Sequence, residues 1–202
     1  MSRPVIHLPA TAIGEEELVG GLRRGDVASY RHLYELFAPK LRRILGRTYR
    51  NAVADDAVQA TFLVAYQKVA QFDGRASLLT WLTRIALRQA ARAARKEGSE
   101  TASQPPQPEA LSGVHSPEEA AMQGQLAGRL AALIGQLPER KRVALLLFEV
   151  EGFSVQEIAD ILEEPRGTVL ARLSRTRAEL REALTGGAPG NLADSLTSRG
   201  QR

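Results

Sequence analysis

The sequence predicts an all-α fold of two small helical domains joined by a flexible linker, and three observations carry that expectation. Apolar residues recur at steps of three and four, while no stretch alternates apolar with polar side chains as a half-buried strand would. Residues 97–117 are rich in Gly, Ser, Thr and Gln, hold four prolines and offer little to bury, which reads as an extended linker. The stretches on either side, 15–96 and 118–185, are each long enough for a modest core. Residues 1–14 and 186–202, the latter rich in Gly, Ser and Asn, are expected to be disordered ends.

The first long helix is entered near Asp26, and Leu33, Phe37, Leu41, Ile44 and Thr48 continue its apolar face, with Pro39 expected to kink it. Asp55 and Asp56 open the next helix, where acids suit the positive end of the dipole. Val58, Phe62, Ala65 and Val69 form its apolar stripe. A loop over residues 71–77 leads into a helix that carries Trp81 and a row of arginines. Ser116-Pro117-Glu118-Glu119 is a capping box with proline at the first helical position. Leu126, Leu130, Leu133 and Ile134 make the helix behind it amphipathic, and Leu137-Pro138-Glu139 starts another that runs to about Val150.

Residues 154–184 read as a short helix, a tight turn and a longer helix. Ser154 with Glu157 is a second capping box, and Ile158, Ala159, Ile161 and Leu162 face inward. The turn spans residues 163–165, and the next helix buries Val169, Leu173, Thr176 and Leu180. Arg166, Arg172, Arg175, Arg177 and Arg181 lie on its other sides. A helix-turn-helix sets its second helix in the DNA major groove, so arginine density there favours duplex binding over a purely structural hairpin.

Composition narrows the function. At 44% hydrophobic residues the chain is globular, and no apolar run approaches the roughly 18 residues that a membrane span requires. Residues 1–14 lack the cationic start and apolar centre of a signal peptide, so a cytoplasmic location is expected. The chain has no cysteine, and its three histidines show no ligand spacing, so neither a disulfide nor a metal is expected. No phosphate-binding glycine loop and no histidine beside a nucleophile motif is present, which argues against an enzyme and against a cofactor.

Charge is unevenly placed. Residues 15–96 hold 15 Lys and Arg against 8 acids, whereas residues 119–185 hold 9 against 10. The sharpest concentration is Arg84, Arg88 and Arg92, followed by Arg95 and Lys96; from Gly74 to Lys96 there are six cations and no acid. Steps of four keep the charges on one helix face. There they repel by a few tenths of a kcal/mol per pair unless a polyanion meets them. Solvated helix faces usually mix the two signs, and this one does not. Phosphates suit the cations, and Trp81 at the head of the face fits either core packing or stacking on an unpaired base, two compatible roles.

An ordered set of motifs now carries a resemblance: Asp56-Ala57-Val58-Gln59-Ala60-Thr61-Phe62, Phe72-Asp73-Gly74, Thr80-Trp81-Leu82-Thr83-Arg84-Ile85-Ala86, Leu137-Pro138-Glu139, Glu157-Ile158-Ala159 and Gly167-Thr168-Val169. Together these resemble the extracytoplasmic-function sigma factors, the smallest group of bacterial promoter-specificity subunits. The resemblance covers about residues 15–96 and 119–184, as a region 2-like bundle and a region 4-like helix-turn-helix. It implies a protein that directs core RNA polymerase to promoters. Asp55, Asp56, Gln59, Phe62 and Leu63 would meet a coiled coil of the largest polymerase subunit, and the polymerase flap is a further implied contact. Phe72, Asp73, Gly74, Arg75, Trp81, Arg84, Arg88, Arg92, Arg95 and Lys96 would hold the melted −10 strand. Arg166, Thr168, Leu170, Ala171, Arg172, Ser174, Arg175 and Arg177 would face the −35 duplex. An anti-sigma factor is an implied partner, and tethering two weak binders through the linker raises their effective concentration.

The chain departs from the family pattern where contacts are made. Leu78 stands for a common Phe, Arg88 for a common Asn, and Asp73 where a base is frequent. In the turn, Glu163 replaces a usual Gly and Glu164 an apolar residue; a left-handed Glu163 would cost roughly 1 kcal/mol. On the recognition helix, Leu170, Ala171 and Ser174 replace residues better able to bond bases, which implies an unusual −35 sequence or one read through DNA shape. These departures leave a second reading open, a sigma-like adaptor or decoy that holds polymerase or an anti-sigma factor without reading promoters.

Overall fold

The computed structural model of the chain describes residues 14–96 and 117–185. Over them it forms eight α-helices and one short 3-10 turn, with no strand among the described residues. The first half holds α1 (Glu15–Arg23), α2 (Val27–Gly46), α3 (Asn51–Lys68), the turn Val69–Gln71 and α4 (Leu78–Lys96). The second half holds α5 (Pro117–Gln136), α6 (Glu139–Glu149), α7 (Val155–Leu162) and α8 (Arg166–Thr185). The expectations for residues 1–13, for Ser116 and the linker before it, and for the tail after 185 lie outside the described residues.

Local chemistry explains most boundaries. Asp26 caps α2, its carboxylate accepting from the backbone N–H groups of Ala28 and Ser29 at 3.3 and 2.9 Å. Pro39 lies inside α2, which runs on to Gly46, and Thr48 is buried just beyond the helix end. α3 starts at Asn51, behind an extended Arg50, a turn earlier than Asp55 and Asp56 suggested. Asp55 pairs instead with Arg42 of α2 at 2.8 Å. Ser154 and Glu157 close the expected capping box on α7. Leu126, expected on the apolar face of α5, is exposed; among the described side chains of that helix, Ala131 and Leu133 are the buried ones.

Leu33, Phe37, Leu41, Ala57, Val58, Phe62, Leu82 and Ala86 form the centre of the first half. The halves do not keep separate cores. One buried cluster continues from α2, α3 and α4 into Val143, Ala144, Leu147, Ile158, Ala159, Val169 and Leu173, because α7 lies along α4. A smaller cluster, Leu133, Leu137, Leu145 and Leu180, closes the far side of the second half.

Polar bonds also cross this contact. Glu151, only 3% exposed, accepts from Arg43 Nη2 at 2.8 Å and from Arg47 Nε at 3.0 Å. A carboxylate that deep needs such partners, since an unpaired buried charge is costly. Arg142 is also buried; it donates to the carbonyls of Gly135 and Leu137 at 2.9 and 3.0 Å and reaches that of Thr48 at 3.5 Å. Burial pulls its guanidinium below the usual arginine range. The Tyr49 hydroxyl donates to Glu139, and burial first, then that carboxylate, pushes its titration far above the usual tyrosine value.

Candidate nucleic-acid interface

α4 sorts its residues by face. Leu78, Leu82, Ala86 and Ala90, four apart, are each 0% exposed, whereas Arg88, Arg92, Arg95 and Lys96 stand in solvent and Arg84 is half-buried. The helix start is fixed twice: Ser77 Oγ accepts from the Thr80 N–H at 3.1 Å, and Glu15 of α1 accepts from the Leu78 N–H. The cations are therefore displayed on a rigid, deeply packed rod.

The loop before α4 is equally settled. Gly74 takes φ +73°, which glycine adopts without steric cost. Asp73 accepts from the Arg75 N–H at 3.1 Å, and Arg23 of α1 donates to the Phe72 carbonyl at 2.6 Å. Asp73 thus serves its own turn. Phe72 and Trp81 are buried, 5% and 7% exposed, with ring centroids 5.3 Å apart. In this arrangement their rings brace the loop and helix from below, and the exposed candidates at the loop are Asp73, Gly74 and Arg75.

On α3, Asp56, Gln59 and Leu63 share an exposed face, and Asp55 is half-buried in its pair with Arg42. Phe62 is buried and packs on Tyr34 with centroids 4.7 Å apart. Sequence reasoning missed two rings beside this face, Tyr34 and Tyr66, 42% and 56% exposed. Tyr66 lies three residues beyond Leu63 on the same helix, which was an available signal, whereas Tyr34 stands on α2 and no spacing in the sequence announces it.

In the helix-turn-helix, Val169, Leu173, Thr176 and Leu180 are buried as their spacing predicts. Arg166, Thr168, Leu170, Ser174 and Arg175 are exposed and Ala171 is half-buried, so one side of α8 is open. Arg172 is different. It lies 2.6 Å from Glu164, whose side chain is 11% exposed and also accepts from Arg140 at 2.6 Å. The acid that broke the family pattern at 164 is thus a bridge between α6 and α8. Arg177 is held by Glu149 and lies over the Phe148 ring, 4.8 Å from its centroid.

Among the described residues the secondary structure is helical, with an acid-free cationic helix in one half and a helix-turn-helix in the other, an arrangement suited to nucleic acid. The family model for sigma-70 region 2 matches residues 33–100, and that for sigma-70 region 4 matches residues 127–180. RNA polymerase sigma-H factor of Pseudomonas aeruginosa is 32% identical over 180 residues, covering 84% of this chain and 93% of that protein. ECF RNA polymerase sigma-E factor of Escherichia coli is 30% identical over 176 residues, covering 81% and 90%. Among solved structures, the sigma factor RpoE bound to the anti-sigma factor NepR, from Bartonella quintana, is 25% identical with a TM-score of 0.58, covering 80% of this chain and 100% of that one. CnrH in complex with the cytosolic domain of CnrY shares the fold at 22% identity and a TM-score of 0.59, covering 86% and 99%. The chain belongs to the sigma-70 family, as an RNA polymerase sigma factor of the extracytoplasmic-function type. It directs core polymerase to promoters and starts transcription as an initiation factor rather than an enzyme.

Proposed function

We propose that the two halves, residues 15–96 and 118–185, divide promoter binding between an opened strand and a duplex, with residues 97–117 as the tether. Arg84, Arg88, Arg92, Arg95 and Lys96 take the phosphates of the melted −10 strand, while residues 72–75 form the rim at which a base is captured. Phe72 and Trp81 act here as positioning residues under that rim. Arg166 and Arg175 hold −35 phosphates, with Thr168, Leu170, Ala171 and Ser174 against the base edges. Arg172 and Arg177 join them after leaving their carboxylates. The exposed face of Asp56, Gln59 and Leu63, with Asp55 beside it and Phe62 beneath, docks on the coiled coil of the largest polymerase subunit, and the second half meets the flap.

The observation that carries this reading is the face of α4. Four fully buried residues fix its back, and its front shows cations without one acid in the helix. No helix among the described residues is long and apolar enough to cross a membrane, and the protein works in the cytoplasm beside its polymerase. An anti-sigma protein is a further partner; the solved relative RpoE was captured with one. The test is transcription by core polymerase reconstituted with the chain, on bubble and closed templates that share one promoter. Transcripts from both, with tighter binding to the bubble, are expected. Equal binding to the two templates would remove the strand-holding role from α4.

A further inference from the structure

We propose that Glu163 is an internal stand-in for a DNA phosphate: a carboxylate in the helix-turn-helix turn that occupies the α4 stripe until nucleic acid displaces it. The proposal rests on the stripe being a strand-binding surface and adds a masked state of the free chain. Among the described residues, Arg84 and Arg88 are the members of the stripe that meet an acid, and both meet the same one. Arg88 donates to one oxygen of Glu163, and Arg84 Nη1 lies 4.0 Å from the other. A carboxylate offers guanidinium groups the same kind of paired anionic oxygens as a phosphate does.

The backbone says the same. Glu163 sits at φ 55° and ψ 46°, the sole non-glycine residue with positive φ among the described residues. Its N–H closes α7 on the Ala159 carbonyl, a task for which glycine is the less strained residue. What a glutamate adds at this position is the reach of its carboxylate across to α4. The reach is held in register by α7 packed along α4 and by Arg43 and Arg47 on Glu151.

Magnitude decides what such a latch can do. The side chains of Arg88 and Glu163 are 57% and 50% exposed, so their pair is screened by solvent and weak. It therefore lowers the affinity of the free chain for a strand by a few-fold and does not block it. Once several phosphates arrive together, one half-exposed carboxylate is displaced.

The experiment titrates a short fluorescein-labelled single-stranded DNA with the full chain, without polymerase, and reads anisotropy at several salt concentrations. Glu163→Gln keeps the shape and removes the charge; it is expected to tighten binding about threefold. Glu182→Gln removes an equal charge from an exposed site on α8 and is expected to change binding by much less. In an Arg88→Ala background the gain at 163 is expected to shrink toward nothing, a coupling that a double-mutant cycle reads directly. Glu163→Gly, which also relieves the positive φ, is expected to match Glu163→Gln. If Glu163→Gln binds as the parent does, or if Glu182→Gln gains as much, the latch is refuted while any loss in Arg88→Ala keeps the stripe. If Arg88→Ala leaves binding unchanged both with Glu and with Gln at 163, the strand-binding reading falls and the latch falls with it.

Discussion

α4 and α8 are nearly equal in length, 19 and 20 residues, and each carries at least four arginines, yet they use them differently. α4 holds no acid, and the carboxylate that meets its arginines comes from the other half of the chain. α8 contains Glu179 and Glu182, and its Arg172 and Arg177 are tied to Glu164 and Glu149 within its own half. A guanidinium held by a half-buried acid of its own fold supports that fold. One on an acid-free face, met at most by a half-exposed carboxylate from the other half, stays open to an outside anion. Counting arginines does not separate these cases; tracing where each one's nearest carboxylate comes from does.

The helices are alike in their anchors, and the largest expected effects test that likeness. Leu82 and Leu173 are 0% and 1% exposed. Leu82→Ala and Leu173→Ala should each destabilise the chain by about 3 kcal/mol in urea unfolding, from lost transfer energy and the cavity left behind. Since one buried cluster joins the halves, both variants should also still unfold in a single transition. Two separated transitions would break the picture of a shared core.

The unlike faces come next. Replacing Arg84, Arg88 and Arg92 together by Ala removes up to three phosphate contacts. Single-strand binding should weaken about a hundredfold near 0.1 M salt, with a salt slope flatter by about 2, while stability changes by no more than about 0.5 kcal/mol. Arg172→Ala should show the reverse weighting. It leaves Glu164 with Arg140 alone, so a loss of about 1–2 kcal/mol in unfolding free energy is expected. A stable Arg172→Ala variant would erase the distinction drawn between the two helices. Smaller again is Arg175→Ala, an exposed residue without an ion pair among the described residues. Duplex −35 binding should lose about tenfold, with a slope change near 0.9 and unaltered polymerase binding.

Much of this was legible in the sequence where the signal is local. The capping box at Ser154, the turn at residues 163–165 and the buried spacing of α8 all follow from neighbours a few residues apart, whereas the left-handed Glu163 was only a conditional expectation, raised by the glycine usual there in the family. The arginine stripe was legible for the same reason, because a helix period maps directly onto a face. What stayed hidden depends on partners far along the chain. Glu164 reads as an intruder in a turn until Arg140, 24 residues away, and Arg172 are seen around it. Glu151 reads as a loop acid, yet Arg43 lies 108 residues before it. The start of α3 was misplaced because two acids fit a first helical turn so well, although Asp55 had a cation waiting on α2. Trp81 fitted two roles, and only packing against Phe72 shows where its ring lies.

The smallest expected effect separates the halves by the chemistry of their caps. At the N-cap position α2 carries a carboxylate, Asp26, and α7 a hydroxyl, Ser154, with the Glu157 carboxylate closing the box on the Ser154 N–H. Hydrogen bonds from the Ser29 side chain, then from the backbone N–H groups of Ser29 and Ala28, hold Asp26 below its ordinary 3.8. A depressed carboxyl favours the folded state above its unfolded pKa, and that contribution fades as pH falls through the folded value. The relevant window is therefore acid, at and below about pH 4. Asp26→Ser keeps a capping oxygen without the titration. Urea midpoints of the parent and of Asp26→Ser should run parallel near neutrality and converge in acid, the parent losing more. Parallel curves throughout would mean that the Asp26 carboxylate is not engaged with the start of α2 in solution, and the two caps would then differ in name only.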